Sequence, residues 1–264
     1  NIESKNLTEM TISQKLHEIR KLNETFVSES FSTISAFNDN GAIVHYKVNK
    51  MSDKKIDCDG LYLIDSGAHY LEGTTDVTRT LLVGKAKVEM IEDYTDVLKG
   101  HIAVATAIFP EKTFGREIDS FARKPLWKKG KDYAHGTGHG VGSLLSVHEG
   151  PISISKHSES YLECGMVVSN EPGYYKTGEY GIRIENLEVV KRKYFKNQNH
   201  NFLCFENLTR VPLELDLINK KLLTRFEVNW INDYHDKVYK DLSKLIKKEE
   251  KQLLKFLKTQ TCHI

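Results

Sequence analysis

Charge of one sign is missing from this sequence: 38 basic residues stand against 36 acidic ones, a formal net of +2. That balance is too small to favour nucleic acid or an anionic membrane as a partner. Long apolar runs are missing as well. No stretch reaches the roughly 18 consecutive apolar residues of a membrane-spanning helix, and the opening Asn1-Ile2-Glu3-Ser4 is polar, without a signal pattern. Cysteine is sparse, and Cys58, Cys164, Cys204 and Cys262 show no CxxC spacing. A zinc ribbon or redox dithiol is thereby excluded, and reduced thiols in a cytoplasmic chain are expected. Proline is scarce too, 5 in 264 residues, which excludes collagen-like and proline-rich disordered classes. A chain of this length buries most of its apolar surface on folding, so any metal site is functional before it is structural. Lacking an initial Met, the chain is expected to be a piece of something longer.

Periodicity sets the expected order of elements. Thr11, Ile12, Leu16, Ile19 and Phe26 predict an amphipathic helix, capped by Thr11 with Gln14 and ending between Asn23 and Ser28. Short β-branched and aromatic pieces over residues 31–46, broken by Asn38-Asp39-Asn40-Gly41, predict a hairpin or strand pair. Leu61-Tyr62-Leu63-Ile64 has the pattern of a buried strand ending at Asp65-Ser66-Gly67, with Val77 to Val83 as its partner. Residues 89–108 give the clearest helix, stopped before Pro110, and a second runs over 115–127, where Pro125 should end or kink it. From Asp132 to Val190 the chain turns glycine-rich and strand-like; a polar turn at 197–201 then precedes a strand over 202–211. Helices return at Thr224, the last with Leu242, Leu245, Ile246, Leu253, Leu254 and Leu257 inward and lysines outward. Segregated blocks of this kind point to an α+β fold with helices packed on an antiparallel sheet.

Acids punctuate these strands where apolar residues belong. Asp65 closes an apolar run, and Asp76 sits in Gly73-Thr74-Thr75-Asp76-Val77-Thr78-Arg79-Thr80. A hairpin turn near Glu72-Gly73 would bring the two together. Glu171 in Ser169-Asn170-Glu171-Pro172-Gly173 and Glu185 in Ile182-Arg183-Ile184-Glu185-Asn186 repeat the theme. Four carboxylates among apolar neighbours are costly to bury unless neutralised. Two divalent cations would balance them and acidify a bridging water. His139, in His135-Gly136-Thr137-Gly138-His139-Gly140-Val141-Gly142, supplies one imidazole. Oxygen-rich coordination with one His suits Mn(II), Co(II) or Zn(II). Taken singly, each residue is as readily a turn former or a structural histidine; the combination carries the reading. Arg183 could orient a ligating carboxylate or form an ordinary cross-strand ion pair, and Thr78 could bond a ligand oxygen.

Six segments, Asp65-Ser66-Gly67-Ala68, residues 74–80, residues 135–142, His148-Glu149-Gly150-Pro151, residues 169–175 and residues 181–186, together resemble the pita-bread metallopeptidases. Within them the likeness is to the aminopeptidase P (Xaa-Pro aminopeptidase) branch of the larger cytosolic type, and it extends to Trp230-Ile231-Asn232-Asp233-Tyr234-His235. The resemblance implies the pita-bread (creatinase/aminopeptidase) fold, a curved antiparallel sheet with helices packed outside, as a catalytic domain over residues 1–212. A C-terminal helical extension would occupy 213–264, and the creatinase-like N-terminal domains of larger relatives would be absent.

The resemblance also implies roles. Asp65 would hold one metal, Asp76 and Glu185 would bridge both, and His139 with Glu171 would complete the second. A metal-bridging hydroxide would attack the carbonyl before proline, with Glu171 relaying the proton to the leaving nitrogen, so the substrates are peptides with proline at the second position. His45, His135 and His148 would line the substrate pocket. Mn(II) is the preferred metal, with Co(II) or Zn(II) as alternatives. Two further enzyme readings are a prolidase-type dipeptidase and a methionine aminopeptidase, the latter disfavoured by residues 148–151 and 182–186. A non-catalytic binding module is the third, against which the presence of all five ligands stands. His69 replaces the family's usual Gln close to the metal strand, and Pro125 interrupts a helix that relatives carry whole. His69, His101, His157, His200, His235 and His263 are read as surface or core residues. The lysine-rich stretch 237–258 is read as a solvated helix face whose apolar side could contribute to a homodimer.

Overall fold

The computed structural model describes residues 7–196, 201–247 and 249–264. The chain begins with α1 (Glu9–Arg20), β1 (Phe26–Glu29) and β2 (Ile34–Phe37). Next come β3 (Gly60–Ser66), a small hairpin of β4 (Ala68–Tyr70) and β5 (Gly73–Thr74), and β6 (Val77–Val83). The helix α2 (Val88–Ala105), the short β7 (Ile108–Pro110) and the helix α3 (Gly115–Trp127) follow. Six strands then run nearly unbroken: β8 (Gly138–Gly140), β9 (Glu149–Ile154), β10 (Val167–Asn170), β11 (Gly173–Lys176), β12 (Tyr180–Arg183) and β13 (Asn186–Lys193). β14 (Phe202–Asn207), α4 (Arg225–Leu242) and α5 (Lys251–Gln260) complete the order.

The strands form four antiparallel groups: β2-β3-β6, β1-β4-β5, β11-β12, and the six-stranded β7-β14-β13-β10-β8-β9. β3 pairs with β6, as expected of those two segments, in the register that sets Asp65 opposite Thr78. The main core lies under α2, where Tyr94, Val97, Leu98 and Ile102 meet Leu61 and Ile182 from the strands, Ile184 from the step after β12, and Ile231, Tyr234 and Val238 from α4. A second core joins α3 to the six-stranded sheet through Ile118, Ala122, Val168, Val190 and Leu203. The α+β architecture expected from the segregated blocks is the one observed.

Several boundaries differ from the periodicity reading, each for a local reason. The first helix starts at Glu9, because Thr8 is its cap: the Thr8 hydroxyl accepts from the Thr11 N–H at 3.2 Å while the Thr11 hydroxyl accepts from the Thr8 N–H at 2.8 Å. Residues 31–46 form no hairpin. Their strand pairs with β3, and Asn38–Ala42 is a 3-10 turn whose Asn38 side chain accepts from the Leu61 N–H at 3.0 Å. α2 stops at Ala105, since Ile108–Pro110 joins the sheet. Pro125 lies inside α3, but the helix continues only to Trp127, so the missing N–H falls in the last turn. The strand expected over 202–211 shortens because the carbonyls of Val211 and Pro212 accept from Arg79 instead of a neighbouring strand. The single last helix is two, and the break after Leu242 turns Leu245 and Leu253 outward, 79% and 46% exposed, while Leu257 is buried. The polar turn at 197–200 and His200 lie outside the described residues.

The packing of α2 on α3 depends on one glycine. A Cβ at Gly100 would stand 2.2 Å from the Ala122 carbonyl oxygen, so the two backbones touch there. Replacing a mid-helix Gly by Ala ordinarily stabilises a helix by about 1 kcal/mol. Here the sign should invert, and Gly100→Ala should cost about 1–3 kcal/mol from overpacking. Urea denaturation checks this, and a raised midpoint would contradict the contact.

Candidate metal centre

The acids that interrupt the strands sit where different sheets meet. β3 delivers Asp65, and the β4-β5 hairpin returns the chain so that Asp76 enters beside it at the start of β6. Glu185 lies at the step between β12 and β13, where its N–H donates to the Thr78 carbonyl at 3.1 Å and its Oε2 accepts from the Thr78 hydroxyl at 2.8 Å. Glu171 follows β10, with its N–H on the Thr137 carbonyl at 2.7 Å and its Oε1 accepting from the Ser169 hydroxyl at 3.0 Å. His139 sits on β8, which can lie close to β10 because Gly138 has no side chain; a Cβ there would meet the Ser169 carbonyl at 2.0 Å.

Orientation of the His139 ring follows from its neighbour. Nδ1 lies 2.9 Å from the Gly140 carbonyl, which can only accept, so Nδ1 carries the proton and Nε2 faces Glu171 Oε1 at 3.2 Å and Asp76 Oδ2 at 3.5 Å. Donor atoms of Asp76, His139 and Glu185 all lie within 4.8 Å of one another. Asp65 accepts from Arg183 Nη2 at 2.7 Å through Oδ2, and its Oδ1 is buried without a hydrogen-bond partner. An orphaned carboxylate oxygen beside three gathered donors is what a cation site offers and what a purely structural cluster would satisfy. The residues present therefore fit divalent metal. They form the floor of a cavity of about 540 Å³ whose walls include His45, His135 and His148.

Two arginines that face opposite ways brace this floor. Arg183 reaches Asp65, not Glu185, and also donates to the Thr78 hydroxyl at 3.1 Å and to the Tyr175 hydroxyl at 2.6 Å. Tyr175 in turn lies 2.8 Å from His135 Nε2, while His135 Nδ1 lies 2.7 Å from the Gly136 carbonyl. Both nitrogens of His135 are thus engaged, and the ring orients Tyr175 from the cavity wall. Arg79 is buried behind the site. It donates to the carbonyls of Glu185 at 2.6 Å and Thr78 at 2.8 Å, to Asn186 Oδ1 at 2.7 Å and to the Tyr234 hydroxyl at 2.9 Å, which ties the Glu185 backbone to α4.

Tyr175 and Arg79 were not among the residues expected at the site. Tyr175 lies one helical turn's count after Glu171 in the 169–175 segment, and Arg79 is a charge in mid-strand between Thr78 and Thr80; those were the available signals. His101 and His235 are core residues, as read from the sequence. His101 accepts or donates only within the core, to Asn170 and Asn186, and burial pushes it down to about 3. His235 accepts from the Leu213 N–H at 3.1 Å and is held at about 4 by burial. His69 turns to the Thr74 hydroxyl at 2.8 Å in the small hairpin and is not part of the cavity wall. His148 packs edge-on against His139 with ring centroids 4.2 Å apart.

The model for metallopeptidase family M24 matches residues 2–192, and that for the C-terminal region of peptidase M24 matches residues 201–264. The chain belongs to metallopeptidase family M24. Xaa-Pro aminopeptidase 1 of Dictyostelium discoideum is 48% identical over 257 residues, covering 96% of this chain and 41% of the relative. Among solved structures, a cytosolic X-prolyl aminopeptidase of Caenorhabditis elegans with a di-nuclear active site superposes with a TM-score of 0.95 at 41% identity, over 100% of this chain and 43% of its own. The Xaa-Pro dipeptidase of Bacillus anthracis gives 0.67 at 31% identity, over 80% of this chain and 55% of its own. The M24 chain has the pita-bread fold and spans about two fifths of the length of its aminopeptidase relatives.

Electrostatics in the M24 floor divide the candidate ligands into two sets. Burial, then Glu185, Asp65 and Glu171, push the Asp76 carboxyl well above the usual range, and burial, then Asp65 and Glu171, do the same to Glu185. Burial also raises Asp65, against the pull of Arg183. Burial would raise Glu171 too, but its hydrogen bond to His139 outweighs that and brings it to about 2. The same bond overcomes burial at His139 and holds the imidazole at about 9. Without metal the floor therefore favours the protonated forms of Asp76 and Glu185 and an imidazolium at His139. Carboxyl and imidazole groups whose native pKa is raised lend stability at low pH that is lost as pH climbs through their native values. The metal-free chain should accordingly lose thermal stability between pH 6.5 and about 9. Saturating divalent metal should flatten that slope; a metal-free Tm that rises across the interval would contradict this protonation pattern.

Proposed function

We propose that this chain is the catalytic region, residues 1–212 with the extension 213–264, of a di-metal aminopeptidase. It would hydrolyse the bond between an N-terminal residue and a following proline. The observation that carries the reading is the floor itself: ligand atoms of Asp76, His139 and Glu185 within 4.8 Å of one another, beside an unpartnered Asp65 Oδ1, open to a peptide-sized cavity. Similarity over nearly the whole chain to proteins named Xaa-Pro aminopeptidase supports the same conclusion.

Asp65, Asp76, His139, Glu171 and Glu185 would hold the two ions, with Asp76 and Glu185 shared between them. Bound there, a pair of divalent ions supplies the charge that lets the carboxylates coexist, polarises the scissile carbonyl and acidifies water. The oxygen-rich donor set with a single imidazole favours Mn(II), with Co(II) or Zn(II) next. Glu171, at the cavity side of the floor, takes the proton of the attacking water at its carboxylate and passes it to the prolyl nitrogen. His148 and His45 hydrogen-bond the peptide carbonyl from the wall. Arg183 aims Asp65 and offsets part of the cost of burying it, and Thr78 aims Glu185. The cytosolic nematode relative supports a cytoplasmic location.

The deciding assay strips the protein of metal, restores Mn(II), Co(II) or Zn(II) in turn, and follows an Xaa-Pro-Xaa tripeptide beside an Xaa-Ala-Xaa control and an Xaa-Pro dipeptide. Metal-dependent cleavage of the proline tripeptide is expected. Cleavage of the dipeptide alone would favour a prolidase instead, and two bound metals without cleavage of any peptide would favour a binding module. Asp76→Ala or Glu185→Ala should each abolish binding of both ions; near-normal metal content in either variant sinks the bridging assignment. His148→Ala should keep its metal and lose roughly a hundredfold in turnover.

A further inference from the structure

One buried carboxylate is not among the residues gathered at the floor. Glu9, the first residue of α1, is fully buried, and its partners among the described residues are all neutral. Its Oε1 accepts from the Phe37 N–H at 2.6 Å and from Asn40 Nδ2 at 2.9 Å. Its Oε2 accepts from the Tyr46 hydroxyl at 2.9 Å, from Asn40 Nδ2 at 3.1 Å and from the Lys54 N–H at 3.2 Å. The backbone of Glu9 adds two more ties, its N–H to the Lys54 carbonyl at 3.0 Å and its carbonyl to the Ser35 hydroxyl at 2.6 Å. A single buried charge at the N-terminal end of a helix, met by donors from four positions, is stabilised without a counter-ion.

The donors explain what that charge organises. They bracket residues 43–54, which form no helix or strand and therefore have no ladder to hold them. Val44, His45, Tyr46 and Lys47 of this segment form one wall of the cavity over the metal floor. The Tyr46 side chain turns inward to Glu9, and its neighbours His45 and Lys47 are exposed on the cavity side.

We propose that Glu9 is a positioning residue that sets the His45 wall of the peptide site, acting through Tyr46, Asn40 and the Lys54 amide. The inference rests on the aminopeptidase reading for its functional consequence and on the hydrogen bonds alone for its structural one. In Glu9→Gln the amide replaces an acceptor by a donor that must face Phe37 N–H, Lys54 N–H or the tyrosine hydroxyl, so at least one tie is lost. The wall then loosens while the metal floor keeps its ligands.

The test uses the metal-loaded chain and two readouts. Amide hydrogen exchange across residues 43–54 should quicken in Glu9→Gln, with α2 and β13 unchanged. For the Xaa-Pro-Xaa tripeptide, KM should rise roughly tenfold with kcat within about threefold, the pattern of lost binding common to ground and transition states. Tyr46→Phe, which removes one hydroxyl and leaves the fold's apolar contacts in place, should move both readouts the same way by a smaller amount. In a His45→Ala background the KM effect of Glu9→Gln should shrink to about twofold, since the two act through one wall. Unchanged exchange over 43–54 overturns the proposal whether or not the chain cleaves the peptide. So does a lowered Tm with unchanged KM, or a full tenfold effect that persists without His45. Inactivity of the unaltered chain would count against the aminopeptidase reading, and the exchange readout would still decide the role of Glu9.

Discussion

Repulsion among carboxylates gathered at one point is the constraint around which this molecule is built. With carboxylate oxygens of Asp76 and Glu185 within 4.8 Å, that pair would repel by roughly 3–4 kcal/mol if both were ionised, at an effective dielectric of about 20. Every neighbour of the floor answers that repulsion in some way. Arg183 takes one oxygen of Asp65, the Thr78 hydroxyl takes one of Glu185, and His139 pairs with Glu171. What these partners leave over is the unpaired Asp65 oxygen and the raised Asp76 and Glu185, a remainder that protons or divalent ions complete. Metal bound there would exchange protons for cations.

The candidate residues of this floor stand out along the chain because each breaks a local rule. Asp65 ends an apolar run, Glu185 follows an alternating strand, and His139 sits between glycines; a violation of pattern can be seen without knowing what lies across from it. The residues that support the floor were not readable for the opposite reason. Tyr175 is an ordinary aromatic in a strand, Arg79 sits between two threonines, and Glu9 obeys the rule that acids open helices. Their significance lies wholly in partners far off in sequence, such as the Tyr234 hydroxyl for Arg79 and the Lys54 amide for Glu9.

Fold-level reading divides along the same line. The pairing of β3 with β6 followed from two apolar segments joined by a turn, and α2 from a sustained helical stripe. Several of the boundaries that shifted were decided by a single side chain making a distant or local hydrogen bond. Thr8 moves the first cap, Asn38 turns the chain away from a hairpin, and Arg79 draws Val211 and Pro212 out of a strand. Hydrophobic periodicity carries no information about such bonds, which is why it locates the elements well and their ends poorly.

The long reach of the Arg183–Asp65 and Thr78–Glu185 bonds has a kinetic consequence. They join residues 118 and 107 positions apart, so neither can form until the β11-β12 hairpin has been laid across the earlier β3-β6 pair. Closing loops of that length is entropically expensive and comes late on the way to the native state. An intermediate with only the first strands paired holds Asp65 and Asp76 without the arginine, the histidine or the other two acids. The gathering of these five groups at one floor is therefore a property of the finished topology, and a nascent chain that misfolds short of it lacks the site.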